Sequence, residues 1–194
     1  MLKKFFIFNF VVFFFLTFSP YCFSLDKDVK GKKTFDKKEM VDKAKIYFAD
    51  LSGGVGIIIE RSFNDFGQPS AYIEGEEFSG AFFGGLRYGG GKIYFPDGTK
   101  KDVYWNGPSL GFDLGANASR VFTLVYNLNV NNLDTLYTRF PDVEGTLYLA
   151  AGLAINYQKK DGIIITPVRS GIGLRAGINL GYTKYTKEKS IIPF

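Results

Sequence analysis

Short runs of β-forming residues separated by turn signals dominate the sequence, and this spacing limits the fold more than any other feature. The separating segments include FGQP, PDG and KKDG, which are typical of turns. Many short strands with short connections favour a closed antiparallel barrel. The sequence therefore predicts a mainly β fold, a small soluble antiparallel β-barrel of about ten strands. The predicted strands are 55–60, 69–75, 78–86, 91–95, 100–105, 108–115, 119–127, 145–158, 162–168 and 171–186.

Two helices are expected beside these strands. Asp36 and Glu39 have the spacing of a capping pair, and apolar residues follow at helical intervals, so an N-terminal helix of about 13 residues should end at the glycine pair 53–54. The segment 131–140 has leucines at helical spacing and is closed by Pro141, which predicts one short inserted helix. The apolar residues of the first helix are Met40, Ala44, Tyr47 and Phe48.

Two predicted strands each carry a face of small residues with one charge. In 108–115 this face contains Asp113 between glycines, and in 171–181 it contains Arg175 between glycines. Glycine inside a strand marks curvature or the close approach of another element. We therefore expect a helix, a sheet or a ligand against this face, with Asp113 and Arg175 within hydrogen-bonding reach. One interpretation is a structural ion pair, and the other is a ligand-binding charge, a role for which Arg120 is a further candidate.

Catalytic motifs are scarce in this chain. It contains no histidine, which removes Ser-His-Asp and Cys-His systems and histidine-bound zinc. Glu74, Glu76 and Glu77 alternate around a predicted turn, and we interpret them as surface acids rather than as a catalytic pair. The glycine-rich stretches depart from phosphate-loop and dinucleotide-binding patterns. The sequence predicts no enzyme activity, no cofactor and no metal site.

The N-terminus has the pattern of an export signal. Lys3 and Lys4 precede a 14-residue apolar stretch, and small residues then allow cleavage before Leu25. We expect residues 1–24 to be a signal peptide, 25–35 a lysine-rich flexible leader and 36–194 a single domain. The predicted location is the periplasm. Retention of the signal as a membrane anchor and lipidation at Cys22, the only cysteine, are the alternatives.

The charge pattern bears on the partners. Eight lysines are mixed with acidic residues in the segment 26–45, a pattern typical of a solvated leader. The alternative interpretation is that this segment contacts an anionic membrane surface or an envelope polymer. We expect no nucleic-acid partner for an exported chain without an arginine-aromatic motif. An outer-membrane barrel is a further alternative, but GIIIT and VGIIIE place aliphatic residues on both faces of the predicted strands.

Several consecutive motifs resemble the alphaproteobacterial envelope integrity protein A family. They include GQPSAYIEGEEFSGAFFGGLRYGGGKIYF, VYWNGPSLGFDLGANASRVFTLVYNL and PVRSGIGLRAGINLGYTKYTKEKSIIPF, and the resemblance covers about residues 36–194. It implies a periplasmic β-barrel that supports envelope integrity and resistance to envelope stress. No catalytic residues are carried over from the family. The lysine-rich leader departs from the family pattern.

A second resemblance bears on the ligand. GVGIII and the later run from Pro108 are similar to lipid-binding SYLF domains, although Arg120 stands where those domains tend to be acidic. The leading prediction is thus a non-enzymatic periplasmic protein that binds an envelope lipid, polysaccharide or protein and does not span the membrane after cleavage. A lipid-binding or lipid-carrier module and a small outer-membrane barrel are the alternatives.

Overall fold

One curled antiparallel sheet organises the structure, a computed structural model that describes residues 34–49, 52–80, 86–108, 117–170 and 181–190. Two α-helices and one 3₁₀ helix accompany it: α1 Lys37–Phe48, α2 Ser52–Phe66 and the 3₁₀ helix Val130–Leu136. The ten strands of the described residues are β1 Ala71–Gly80, β2 Leu86–Tyr94, β3 Lys100–Pro108, β4 Asn117–Tyr126, β5 Arg139–Pro141, β6 Tyr148–Ala150, β7 Leu153–Ile155, β8 Gln158–Lys160, β9 Ile163–Ser170 and β10 Tyr182–Thr186.

The sheet curls until its two ends meet. Its main path runs β5-β10-β3-β2-β1-β4-β9-β7-β6, and β8 pairs with β9 beside β7. A bridge between Asp142, just after β5, and Gln158 of β8 joins the ends. Val143 N also donates to Tyr157 O at 2.8 Å. The predicted barrel of about ten antiparallel strands is thus confirmed, and it is closed along one short seam.

The inner face of the sheet is apolar at one end of the barrel. Odd-numbered residues of β1 and β4 face inward, so Ile73 and Val125 join a buried cluster with Ile93 and Val103. The 3₁₀ helix covers this end because Leu136 is fully buried in the same cluster. The predicted inserted helix is therefore confirmed, but it ends at Leu136 rather than at Pro141, because Arg139–Pro141 forms β5.

The outer face of β1, β4 and β9 is covered by the two α-helices. Asp36 caps α1 by accepting a hydrogen bond from Glu39 N at 2.8 Å, as the capping pair predicted. Met40, Ala44 and Phe48 are the buried stripe of α1. They share one apolar cluster with outward side chains of the sheet, including Tyr72, Phe122, Leu124 and Tyr126.

The predicted strand 55–60 is wrong, because these residues belong to α2. Val55, Ile58 and Ile59 are buried at helical spacing, whereas Ile57 is exposed and Glu60 points to solvent. The glycine pair 53–54, expected to end the first helix, lies inside α2, and α1 ends earlier at Phe48. A short continuous apolar run does not distinguish a buried strand from a helix, which explains the error.

Two further predicted strands are wrong in their boundaries. A separate strand at 78–86 was expected after a turn, but β1 continues without a break through Gly80. The predicted strand 145–158 is instead the β6–β7 hairpin followed by the start of β8. Ala151 and Gly152 both have positive φ, 45° and 79°, as a two-residue hairpin turn requires.

The remaining strand predictions agree with the structure where it describes them. Strands at 100–105, 119–127 and 162–168 correspond to β3, β4 and β9, and 69–75 and 91–95 lie within or beside β1 and β2. Residues 109–116 and 171–180 lie outside the described residues, so those parts of the two glycine faces stay predictions. No helix in the described part of the chain has the length and apolar character needed to cross a membrane.

Candidate functional site

The inner face of the barrel becomes charged at the end opposite the 3₁₀ helix. Glu77 of β1 is only 6% exposed and accepts two hydrogen bonds, from Trp105 Nε1 at 2.8 Å and from Arg169 Nε at 3.1 Å. Arg87 is 1% exposed, and its Nε lies 4.0 Å from Glu77 Oε2. These four side chains form what we call the inner cluster.

Hydrogen bonds extend the inner cluster to the barrel seam. Arg169 Nη1 donates to Asn156 Oδ1 at 2.8 Å, and Asn156 Nδ2 donates to Asp142 Oδ1 at 2.7 Å. Gln158 Nε2 donates to the same carboxylate oxygen at 2.8 Å. The buried charges therefore connect β1 and β9 to the bridge that closes the sheet.

Electrostatics favour the ionised form of Glu77. Burial by itself would raise the pKa of this carboxyl, but Arg169, Arg87 and the Trp105 hydrogen bond together hold the pKa below its usual value. Burial lowers the pKa of Arg87, and the neighbouring Glu77 opposes that shift. Since buried charges are tolerated only when they are paired and hydrogen-bonded, the cluster is built as a structural element.

Glycines make room for this interior. A Cβ at Gly89 would collide with the Trp105 indole, and one at Gly75 would lie 2.7 Å from Trp105 Cη2. The indole therefore occupies the volume of the missing side chains, and it passes over Gly89 of β2 to reach Glu77 of β1. This explains why β1 and β2 carry glycine at inward positions.

The outer face of β1, β2 and β3 carries an open groove of about 560 Å³. Its size falls in the range of small-molecule sites, about 300–1,000 Å³. Four aromatic residues line it, Phe78, Tyr88, Tyr104 and Trp105, and glycines 89–91 form its floor. Phe78 is 52% exposed and does not belong to the core of the barrel. Such exposure is unusual for a large apolar side chain. We call this surface the outer groove.

Strand register brings the walls of the outer groove together. Phe78 is the cross-strand partner of Tyr88, and Gly90 is the partner of both Glu76 and Tyr104. A Cβ at Gly90 would lie 2.8 Å from Tyr104 Cδ1, so the tyrosine ring lies over the glycine. The missing side chain at Gly90 makes room for the Tyr104 ring, which lines the groove.

Four charged residues surround these rings. Lys92 donates to Asp102 Oδ1 at 2.6 Å, and this hydrogen bond raises the pKa of the lysine. Lys189 Nζ lies 6.0 Å from the centroid of the Tyr104 ring. The segment that carries Lys189 is held by Asn106 Nδ2, which donates to Ser190 O at 2.9 Å. The fourth charged residue of the groove, Glu76, lies on β1.

The structure describes one of the three charges that the sequence singled out. Arg120 of β4 is exposed, and its Nη1 donates to Tyr47 O at 3.2 Å, which ties the end of α1 to the sheet. It is the cross-strand partner of Glu76 but is not among the residues that line the outer groove. Asp113 and Arg175 lie outside the described residues, so their pairing stays a prediction.

The interpretation of Glu74, Glu76 and Glu77 as surface turn acids is wrong in part. All three belong to β1, and Glu77 is buried in the inner cluster. Alternation places Glu74 and Glu76 on the outer face and Glu77 inside. The sequence showed this alternation, but the turn predicted between 75 and 78 led to the placement of all three glutamates on the surface.

The described residues contain no group of three or more His, Cys, Asp and Glu side chains placed to hold a metal ion. In the outer groove the carboxylates are Glu76 and Asp102, and Asp102 is engaged by Lys92. Aromatic rings, hydrogen-bonding groups and a glycine floor suit this groove to binding a ligand.

Comparison with known proteins identifies a family and a similar solved structure. The sequence model of the family described as Envelope integrity protein A matches residues 33–194. The fold is similar to a crystal structure of a beta-barrel-like, uncharacterized protein from Brucella abortus, with a TM-score of 0.75 and 42% sequence identity over 84% of this chain and 99% of that one. No curated protein matches the chain.

Proposed function

The chain belongs to the Envelope integrity protein A family, and from this premise we propose that it acts in the cell envelope as a non-enzymatic protein that binds an envelope component at the outer groove. The family name associates the chain with envelope integrity. We further propose that the apolar N-terminal segment exports the chain to the periplasm, where residues 36–194 act as one unit.

One observation carries the binding proposal. The exposed Phe78 and the rings of Tyr88 and Tyr104 line a groove whose floor is glycine. Aromatic residues concentrated in a concave surface, with a few polar groups beside them, are typical of ligand sites. The charges of the barrel interior, in contrast, are bonded to one another and serve the fold.

Complementation of a strain that lacks the gene tests this proposal. The full chain with Tyr104→Ala should fail to restore growth under detergent stress, whereas Tyr148→Ala should restore it. Tyr148 is a matched control because it is also a half-exposed strand tyrosine, but it lies beside Arg61 of α2, away from the outer groove. Immunoblots of periplasmic and membrane fractions should show equal amounts of both variants in the periplasm.

Full restoration by Tyr104→Ala at equal protein level would contradict a role for the groove. Recovery of the protein in the membrane fraction alone would contradict a free periplasmic location. Co-purification of lipid with the wild type, and its loss in Tyr104→Ala, would favour the lipid-carrier alternative at the same groove.

A further inference from the structure

The residues that line the outer groove restrict the kind of ligand it can take. Apart from the aromatic rings, the described lining residues are glycine, serine or charged, and none of them is aliphatic. An acyl chain is best solvated by aliphatic side chains packed around it, which the described lining does not supply. The groove therefore suits a ligand with flat apolar patches and many hydrogen-bonding groups.

Tyr104 provides a flat surface in the middle of the groove. Its ring lies over Gly90, so the backbone of β2 supports the ring at this position. The C–H faces of a sugar ring are apolar and pack on such aromatic faces, while the sugar hydroxyls remain free to hydrogen-bond. Tyr88 lies across the same glycine floor and gives a second ring for a neighbouring sugar.

The charges of the groove balance. Lys92 and Asp102 form a salt bridge at 2.6 Å, whereas Glu76 and Lys189 form no salt bridge with a described residue. Glu76 can accept hydrogen bonds from hydroxyls, and Lys189 can donate to them. Two carboxylates and two ammonium groups favour neither a polyanion nor a polycation.

We propose, on the basis of the function proposed above, that the outer groove binds an uncharged saccharide chain, with Tyr104 as the stacking platform and Glu76 and Lys189 as hydrogen-bonding groups. The ligand class follows from three independent properties of the described lining: a tyrosine ring that rests on glycine, no aliphatic residues and balanced charge.

Binding of defined oligosaccharides to the purified full-length protein tests the proposal. Maltoheptaose, cellohexaose and chitohexaose serve as uncharged probes, a heparin hexasaccharide as the polyanion, and phosphatidylglycerol–phosphatidylethanolamine vesicles as the lipid. Saturation-transfer NMR identifies which probe is bound, and calorimetry gives its Kd. We expect transfer to the protons of at least one uncharged oligosaccharide and none to heparin.

Three variants locate the contact. Tyr104→Ala should weaken saccharide binding by at least about ten-fold, the loss expected of an aromatic anchor. Tyr104→Phe keeps the ring and should stay within about three-fold of the wild type, or about 0.65 kcal/mol. Tyr148→Ala, outside the groove, should bind like the wild type. Circular dichroism and thermal unfolding verify that each variant is folded.

The outcomes separate this inference from the proposed function. Failure of all three uncharged oligosaccharides to bind, or equal binding by Tyr104→Ala, overturns the saccharide assignment. If vesicles bind instead and Tyr104→Ala abolishes that binding, the groove remains a binding site but its ligand is a lipid. If Tyr104→Ala also restores detergent resistance in the complementation assay, the proposed function fails as well.

Discussion

Glu76 and Glu77 are adjacent in the sequence, yet they lie in opposite environments. Glu76 is exposed on the rim of the outer groove, and Glu77 is enclosed in the barrel between Trp105 and two arginines. The same contrast holds for Gly89, which faces the indole inside, and Gly90, which lies under Tyr104 outside. The inner face of β1, β2 and β3 thus carries paired, enclosed charges, and their outer face carries an open groove.

This difference indicates how the two faces divide their roles. Inside, each charge has partners and the cluster reaches the seam at Asp142, so its loss should weaken the barrel. Outside, the rings of the groove are not needed by the core, so their loss should affect binding and leave the fold unchanged. Substitutions at neighbouring positions can test this division directly.

Glu77→Gln should have the largest effect. It removes the negative charge that pairs with Arg87 and Arg169 and leaves two buried cations, and breaking a buried ion pair costs about 3–5 kcal/mol. Urea unfolding followed by circular dichroism measures the loss. A change smaller than about 1 kcal/mol would mean that the inner cluster contributes no more than a surface pair does.

Lowering the pH should reproduce part of this loss of unfolding free energy in the wild type. Because the folded-state pKa of Glu77 is below its unfolded value, its contribution is complete above about pH 4.3 and is lost as pH falls through the folded pKa. The gap in unfolding free energy between wild type and Glu77→Gln should therefore narrow below about pH 4. A constant gap from pH 7 to pH 2.5 would contradict an ionised Glu77.

Gly89→Ala and Gly90→Ala form a matched pair on one strand. At Gly89 the new methyl group meets the enclosed Trp105 indole, and overpacking of this kind costs about 1–3 kcal/mol. At Gly90 it meets Tyr104, which is half-exposed and can move outward, so the stability change should be below about 1 kcal/mol. Gly90→Ala should instead weaken saccharide binding.

Thermal unfolding and calorimetric binding of the two glycine variants measure both effects. The fluorescence of Trp105, the only tryptophan of the chain, should change in Gly89→Ala and remain near the wild-type spectrum in Gly90→Ala. Equal destabilisation by both substitutions would remove the distinction between the inner and outer faces.

The barrel itself was predictable from the sequence, because strand runs and turn residues are local signals. The same is true of the Asp36 cap and of the inserted helix near Leu136. Helix α2 was not predictable in this way. An isolated apolar run such as 57–59 fits either a strand or a helix until its packing partners are known.

The two candidate features depended on information that is not local. Glu77 and Arg169 are 92 positions apart, and only the barrel brings them together. The outer groove requires the register that sets Phe78 opposite Tyr88 and Gly90 opposite Tyr104. A turn wrongly placed between 75 and 78 divided β1 into two predicted strands, so the two faces of this strand were not recognised. For Asp113 and Arg175, in contrast, a long-range pairing was inferred from the sequence pattern, and it remains a prediction.

Glu76→Gln should have the smallest effect on stability and therefore gives the most sensitive test of the comparison. The substitution keeps the shape of an exposed side chain that forms no salt bridge with a described residue, so the free energy of unfolding should stay within about 0.5 kcal/mol of the wild type. It still removes a strong hydrogen-bond acceptor from the rim, since a carboxylate accepts more strongly than an amide. Saccharide binding should weaken while urea unfolding is unchanged, and both are measured on the same preparation. Destabilisation as large as that of Glu77→Gln would show that the outer face also holds the barrel together.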